Sequence, residues 1–294
     1  MHINDMHLCN VQIKCICMKL ITTTIVLFFM LSFQAQEFSG KAIYKTSRKS
    51  SFKIGGKNNA NISDKMKKNL EARLKKMNQK TFILQFDKFS SIYKEDVALS
   101  APSQQLGGGI KVMSFGSGGS DIYYKNLKEK RFSNKTEIMG KAFLVKDNLQ
   151  EFDWQLSSET KNIGNYTCYK ATFSREVEEM KLTLEDGKPK EEANKKTITT
   201  TAWYTLQVPV SNGPGDYYGL PGLILEINDG KTTIVCTEII LNPKDEVKIE
   251  EPKKGKVVNS KKFEKITKEK SKEMMERFRS RRGNGNSIEI KIGG

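Results

Sequence analysis

Tyr218-Gly219-Leu220-Pro221-Gly222-Leu223-Ile224-Leu225-Glu226-Ile227 fuses a turn signal to an apolar strand. Proline disfavours the helical region for the residue before it, so Leu220 reads as extended. Pro221 presets φ for the second position of a turn, and Gly222 accepts positive φ at the third. Leu220 to Leu223 is therefore predicted to be a type II turn. Leu223 to Ile227 is apolar at nearly every position, as in a strand covered on both faces. Asn228-Asp229-Gly230 then predicts a hairpin into Thr232 to Leu241. Two readings of the stretch stand. It is a buried hairpin, or Gly219 and Gly222 admit a ligand or partner close to the backbone.

Working outward, strand patterns dominate. Gly40 to Arg48 reads as a first strand, and Thr81 to Phe86 and Ser91 to Tyr93 flank an Asp87-Lys88 turn. Ile122 to Asn126, Lys128 to Phe132 and Ala142 to Val145 continue the series, followed by Trp154 to Leu156, Tyr166 to Phe173 and Thr197 to Val208. Ser174 to Lys196 is a charged insertion with Asp186-Gly187 as a turn. Two helices are predicted. Ser63 caps one that runs to about Lys80, with Ile62, Met66, Leu70, Leu74 and Met77 as a core-facing stripe. Lys262 to Arg282 forms the other, with Phe263, Ile266, Met274 and Phe278 on one face and Arg277, Arg279, Arg281 and Arg282 near its end. Gly107-Gly108-Gly109 lies in a flexible loop that lacks the Gly-Lys-Ser/Thr ending of a phosphate loop. Ser287 to Ile292 alternates like an edge strand. Short polar turns without intervening helices predict an antiparallel sheet. The expected fold is mainly β: a curved antiparallel sheet or partial barrel with one inserted helix and one C-terminal helix.

The N-terminus fixes the expected compartment. Met18-Lys19 precedes an apolar run, Leu20 to Phe33, that ends at Ala35-Gln36. A basic start, a short apolar run and a small residue describe a secretory signal peptide. The run is shorter than a membrane span needs. Residues 1–17 read as an upstream extension, with translation starting at Met1 or Met18. The expected organisation is thus a leader over 1–35, a β-rich domain over 36–245, and a charged linker, basic helix and tail over 246–294.

Loss of the leader removes His2, His7, Cys9, Cys15 and Cys17. Histidine-dependent triads are then excluded, zinc sites nearly so, and no cofactor is indicated. Cys168 and Cys236 remain. They form either a disulfide closing a loop of about 70 residues, worth roughly 4 kcal/mol, or two buried thiols. The 50 basic and 34 acidic residues become 48 and 33 without Lys14, Lys19 and Asp5, a net +15. The excess is mostly lysine interleaved with glutamate, as on a solvated face, and an exported chain is not expected to meet nucleic acid.

The residues around the opening stretch resemble the GLPGLI family of secreted Bacteroidota proteins, with Gly219, Leu220, Pro221, Gly222, Leu223 and Ile224 as its motif. Trp154, Ile163-Gly164, Tyr166, Cys168 and Lys170-Ala171 are similar to its upstream stretch. Ala202-Trp203-Tyr204-Thr205, Pro209, Ser211, Gly213-Pro214 and Tyr218 are similar to its central segment. The likeness is strong from about 150 to 245 and weaker from 38 to 100. The Ser174–Lys196 insertion departs from the family's short Gly-Arg connection. The resemblance implies a secreted protein and no defined reaction.

Three functions remain. Trp154, Trp203, Tyr204, Tyr217 and Tyr218 cluster near the motif, as in a binding module for a lipid-like, hydrophobic or amphipathic envelope ligand held in the concavity of the sheet. Alternatively the basic tail docks an outer-envelope protein or anionic surface. A hydrolase using Asp153, Glu226 or Asp229 needs a facing carboxylate pair, and no spacing marks one.

Overall fold

The computed structural model describes residues 38–49, 72, 79–97, 121–185, 188–245 and 247–280. Among them twelve strands occur: β1 (Gly40–Arg48), β2 (Gln79–Phe86), β3 (Ser90–Glu95), β4 (Ile122–Asn126), β5 (Arg131–Ile138), β6 (Lys141–Asn148), β7 (Gln155–Ile163), β8 (Tyr166–Glu185), β9 (Lys188–Thr205), β10 (Leu223–Asn228), β11 (Thr232–Leu241) and β12 (Lys256–Val258). One long helix, α1 (Ser260–Ser280), follows. The strands form a single open sheet in the order β12-β6-β5-β4-β3-β2-β1-β11-β10-β9-β8-β7. The fold is mainly β, as expected. Every neighbour pair is antiparallel except β12, which runs parallel to β6. The expected leader, the Gly-rich loop and the Ser287–Ile292 strand lie outside the described residues. So does the inserted helix, apart from the helical Ala72; its expected end at Lys80 is corrected, because Gln79 and Lys80 already belong to β2.

Register follows from burial. In β1, Ala42 and Tyr44 are buried while Lys41 and Ile43 are less so, the two-residue alternation of a strand covered more on one face. Cross-strand pairing carries that face outward from Gly40 through Phe86 and Ser91 to Lys125. Turns fall where polar residues hold them. Asp87 accepts the amides of Phe89 and Ser90 at 2.7 and 2.6 Å. Asp229 accepts those of Lys231 and Thr232, and Gly230 adopts φ 85°.

The charged insertion is not a loop. β8 and β9 pair continuously from Tyr169↔Tyr204 to Glu185↔Lys188, on either side of the Asp186-Gly187 pair.

The expected linker also belongs to the same compact unit, which begins at Ser39. Glu251 receives the Ser133 hydroxyl at 2.6 Å and pairs with Arg131 at 2.9 Å and Lys146 at 3.0 Å. This pins the segment before β12 against β5 and β6. Gly255 then passes so near β6 that a Cβ would lie 2.6 Å from the Phe143 carbonyl carbon, at φ 127°. At the start of α1, the Asn259 side chain accepts the Lys262 amide and Asp147 of β6 accepts the Ser260 amide. Phe263 and Ile266 pack against a cluster of Phe143, Val145 and Val258.

Burial alone would raise the Glu251 carboxyl, but hydrogen bonds from Ser133, Lys146 and Arg131 outweigh it and hold the group at about 2. A depressed carboxyl contributes stability above its unfolded pKa, and that contribution is lost as pH falls through the folded value. Glu251→Gln should therefore cost about 1–2 kcal/mol at pH 7, allowing for partial exposure, and almost nothing near pH 2. Denaturant unfolding at both pH values reads this directly. An equal cost at both would refute the ionic role.

Candidate functional site

The motif sits at the end of the β9–β10 loop, residues 206–222. This loop satisfies its own backbone. The Val210 amide donates to Val208, Asn212 to Val210, Leu223 to Val208 and Ile224 to Asn212, all at 2.8–3.0 Å. Asn212 and Tyr218 form an isolated bridge. Val208, Val210 and Leu220 are buried.

Gly222 corrects one expectation. Its φ is not positive. A Cβ there would lie 2.0 Å from the Thr205 carbonyl oxygen and 2.7 Å from its carbon. Glycine is required because the backbone of β9 runs against it. The close approach expected of a ligand is thus made by the chain itself. Gly219 does adopt positive φ, 95°, beside the Trp154 indole.

The loop reaches across the sheet. β10 and β4 are separated by four strands, a path of roughly 24 Å at ordinary strand spacing. Yet Lys125 of β4 donates to the carbonyls of Gly213 at 2.8 Å and Tyr217 at 2.9 Å. Beside it, Ser91 donates to the Asn212 side chain at 3.1 Å. The Tyr44 hydroxyl donates to the Ile224 carbonyl at 2.7 Å. The space expected to hold a ligand over this face is therefore occupied by the β9–β10 loop. Lys125 is fully buried, and burial lowers its amine to about 7 against the opposing influence of Asp216. Desolvation lies behind the raised Tyr44 phenol, and it carries Tyr217 to about 12 with help from the Asp216 charge.

Three of the five expected aromatics meet. Trp154 donates its indole N–H to the Tyr218 carbonyl at 2.9 Å. Phe152 is the hub, with centroids 5.7 Å from Trp154, 4.9 Å from Phe173, 5.8 Å from Tyr217 and 5.8 Å from Tyr218. Phe173 is buried while Phe152, Trp154, Tyr217 and Tyr218 are half-buried. Phe152 and Phe173 were not singled out in the sequence, because neither sits in the motif; only the alternation of Ala171 and Phe173 in one strand hinted at a shared face. Tyr204 instead joins the core with Ala171, Ala202, Leu220, Ile224 and Ile227. Trp203 occupies the other face of β9, where the Lys161 amine stands 4.4 Å over its ring.

The remaining candidates have structural partners. Glu226 pairs with Lys161 at 2.7 Å, Asp229 holds the hairpin turn, and Asp153 is exposed before β7. Cys168 and Cys236 are free, buried thiols rather than a disulfide. They sit on β8 and β11, with β9 and β10 between them in the sheet. Burial carries the thiols to about 11 and about 12, so neither is a ready nucleophile.

No curated protein matches the chain. Two solved structures of PNGF-II, in the C2 and P21 space groups, are similar at 14% identity with TM-scores of 0.45 and 0.43. Each comparison covers 79% of this chain and 33% of the other, so the chain spans about a third of those proteins' length. Residues 154–226, from Trp154 through the motif to Glu226, are similar to a family described as "Protein of unknown function (Porph_ging)".

Proposed function

We propose that this is an exported cell-envelope protein of the GLPGLI type. In this reading it is a non-catalytic module that binds a hydrophobic or amphipathic ligand on the Phe152 aromatic shelf. The carrying observation is the shelf itself: three half-buried rings, Trp154, Tyr217 and Tyr218, gathered on half-buried Phe152 and braced by a loop that Lys125, Ser91 and Tyr44 fasten to the sheet. Rings on a rigid support lose little conformational freedom when a ligand settles on them. The leader pattern supports export, and the name Porph_ging fits an origin among Bacteroidota. Among the described residues no helix is long and apolar enough to cross a membrane.

Native mass spectrometry of protein extracted from its own envelope without detergent tests the reading. An added mass should accompany the wild type and vanish in Phe152→Ser, while the unfolding midpoint confirms that the variant is folded. An empty wild type that takes up no lipid on incubation would sink the proposal.

A further inference from the structure

Lys261, Lys265, Lys268 and Lys272 of α1 are all exposed. At 100° per residue they fall within a stripe about 60° wide and roughly 16 Å long. That stripe lies opposite Phe263 and Ile266, which hold the helix to β6 and β12, with the Phe263 and Phe143 centroids 5.6 Å apart. Packing therefore fixes which way the lysines point. Glu264 and Glu269, the exposed acidic residues of this span, sit to either side, about 70° from the stripe centre. Among the described residues none of the four lysines is in an ion pair, whereas Lys270, toward the packed side, is satisfied by Glu273. Lys253, Lys254 and Lys256, exposed on the segment leading into the helix, extend the positive surface toward the open edge of the sheet.

A straight row of unpaired ammonium groups suits a flat array of phosphates. It has no guanidinium fork among its four cations for bidentate recognition and no aromatic ring to stack a base. We propose that α1 lays the protein against an anionic phospholipid surface through Lys261, Lys265, Lys268 and Lys272. The lysines contribute charge attraction at the headgroups, and the apolar side of the helix stays on the sheet. The docking is independent of the aromatic shelf.

The test is co-sedimentation of the full chain with phosphatidylcholine vesicles, with and without phosphatidylglycerol. Binding should require the anionic lipid and weaken with added salt. Replacing all four lysines by glutamine should reduce it by several hundred-fold, at about 5-fold per lysine. The control removes the same charge elsewhere, at the exposed Lys45, Lys94, Lys128 and Lys244, and should retain most of the affinity. Circular dichroism should show the helix intact in both variants. Equal losses in the two variants would overturn the proposal, as would indifference to lipid charge. Capture by soluble polyphosphate with no binding to anionic vesicles would overturn it as well. Loss of ligand from Phe152→Ser should leave vesicle binding unchanged, which separates this proposal from the shelf.

Discussion

Gly222→Ala should destabilise the protein by about 3–5 kcal/mol, near the top of the range for one added methyl group. The new carbon would lie 2.0 Å from the Thr205 carbonyl oxygen, 2.7 Å from its carbon and 3.2 Å from the Leu206 nitrogen. All three are backbone atoms, so no side-chain rotation relieves the clash. Leu223 is paired with Thr205 at the start of the β9–β10 ladder, and Leu223 itself is fully buried. Separating the strands to admit the methyl group would open that core. Gly230→Ala is the natural comparison. Gly230 has φ 85° but nothing within 4 Å of a Cβ, so its cost should be the conformational one, about 1 kcal/mol. Denaturant unfolding of both variants gives the contrast. A Gly222→Ala cost no larger than that of Gly230→Ala would mean that the close approach is not structural.

Lys125→Ala should cost a similar 3–5 kcal/mol, by deleting a buried cation and the donor for two carbonyls. The Gly213 and Tyr217 carbonyls would lose their amine partner, and the loop would lose its fastening to β4. Lys125→Met refills the volume and should recover part of the loss, leaving the cost of the carbonyls. The pH effect has the same sign as that of Glu251 but falls in a higher window. An unfolded lysine titrates near 10.4 and the folded one at about 7, so the unfolded chain holds more protons between those values. Stability contributed through Lys125 therefore rises with pH across that window. Above about pH 10 the unfolded chain ionises tyrosines whose phenols burial holds protonated, and stability falls again. From pH 7 to 9 the wild type should gain about 2 kcal/mol relative to Lys125→Met. Parallel stability curves for the two proteins would exclude a titrating Lys125.

The fastening residue and the shelf differ in how far the sequence disclosed them. β1 was legible to its ends, and the Asn228-Asp229-Gly230 hairpin was legible because its turn residues act locally. Trp154, Tyr217 and Tyr218 could be named from their proximity to the motif. Lys125 could not, since a lysine among Tyr123, Tyr124 and Asn126 reads as a solvated strand residue. Its burial comes from a loop some ninety positions away. Gly222 was recognised as necessary for the wrong reason: turn chemistry is local, and the Thr205 backbone is not. β12 is only three residues long and has no periodicity to detect. Its placement depends on Gly255 and on the Glu251 cluster, both of which are tertiary features.

That short strand has a consequence for the chain before it is complete. β6 carries Phe143, Leu144 and Val145, and the edge that they form is paired by Lys256, Val257 and Val258. A chain that ends, or is cut, before residue 256 leaves three consecutive apolar residues on an unpaired strand edge, a template for association with another copy. During synthesis β6 precedes its cover by more than a hundred residues. The last short strand therefore serves as a seal against aggregation, and the interval before it arrives is when this protein most needs a chaperone.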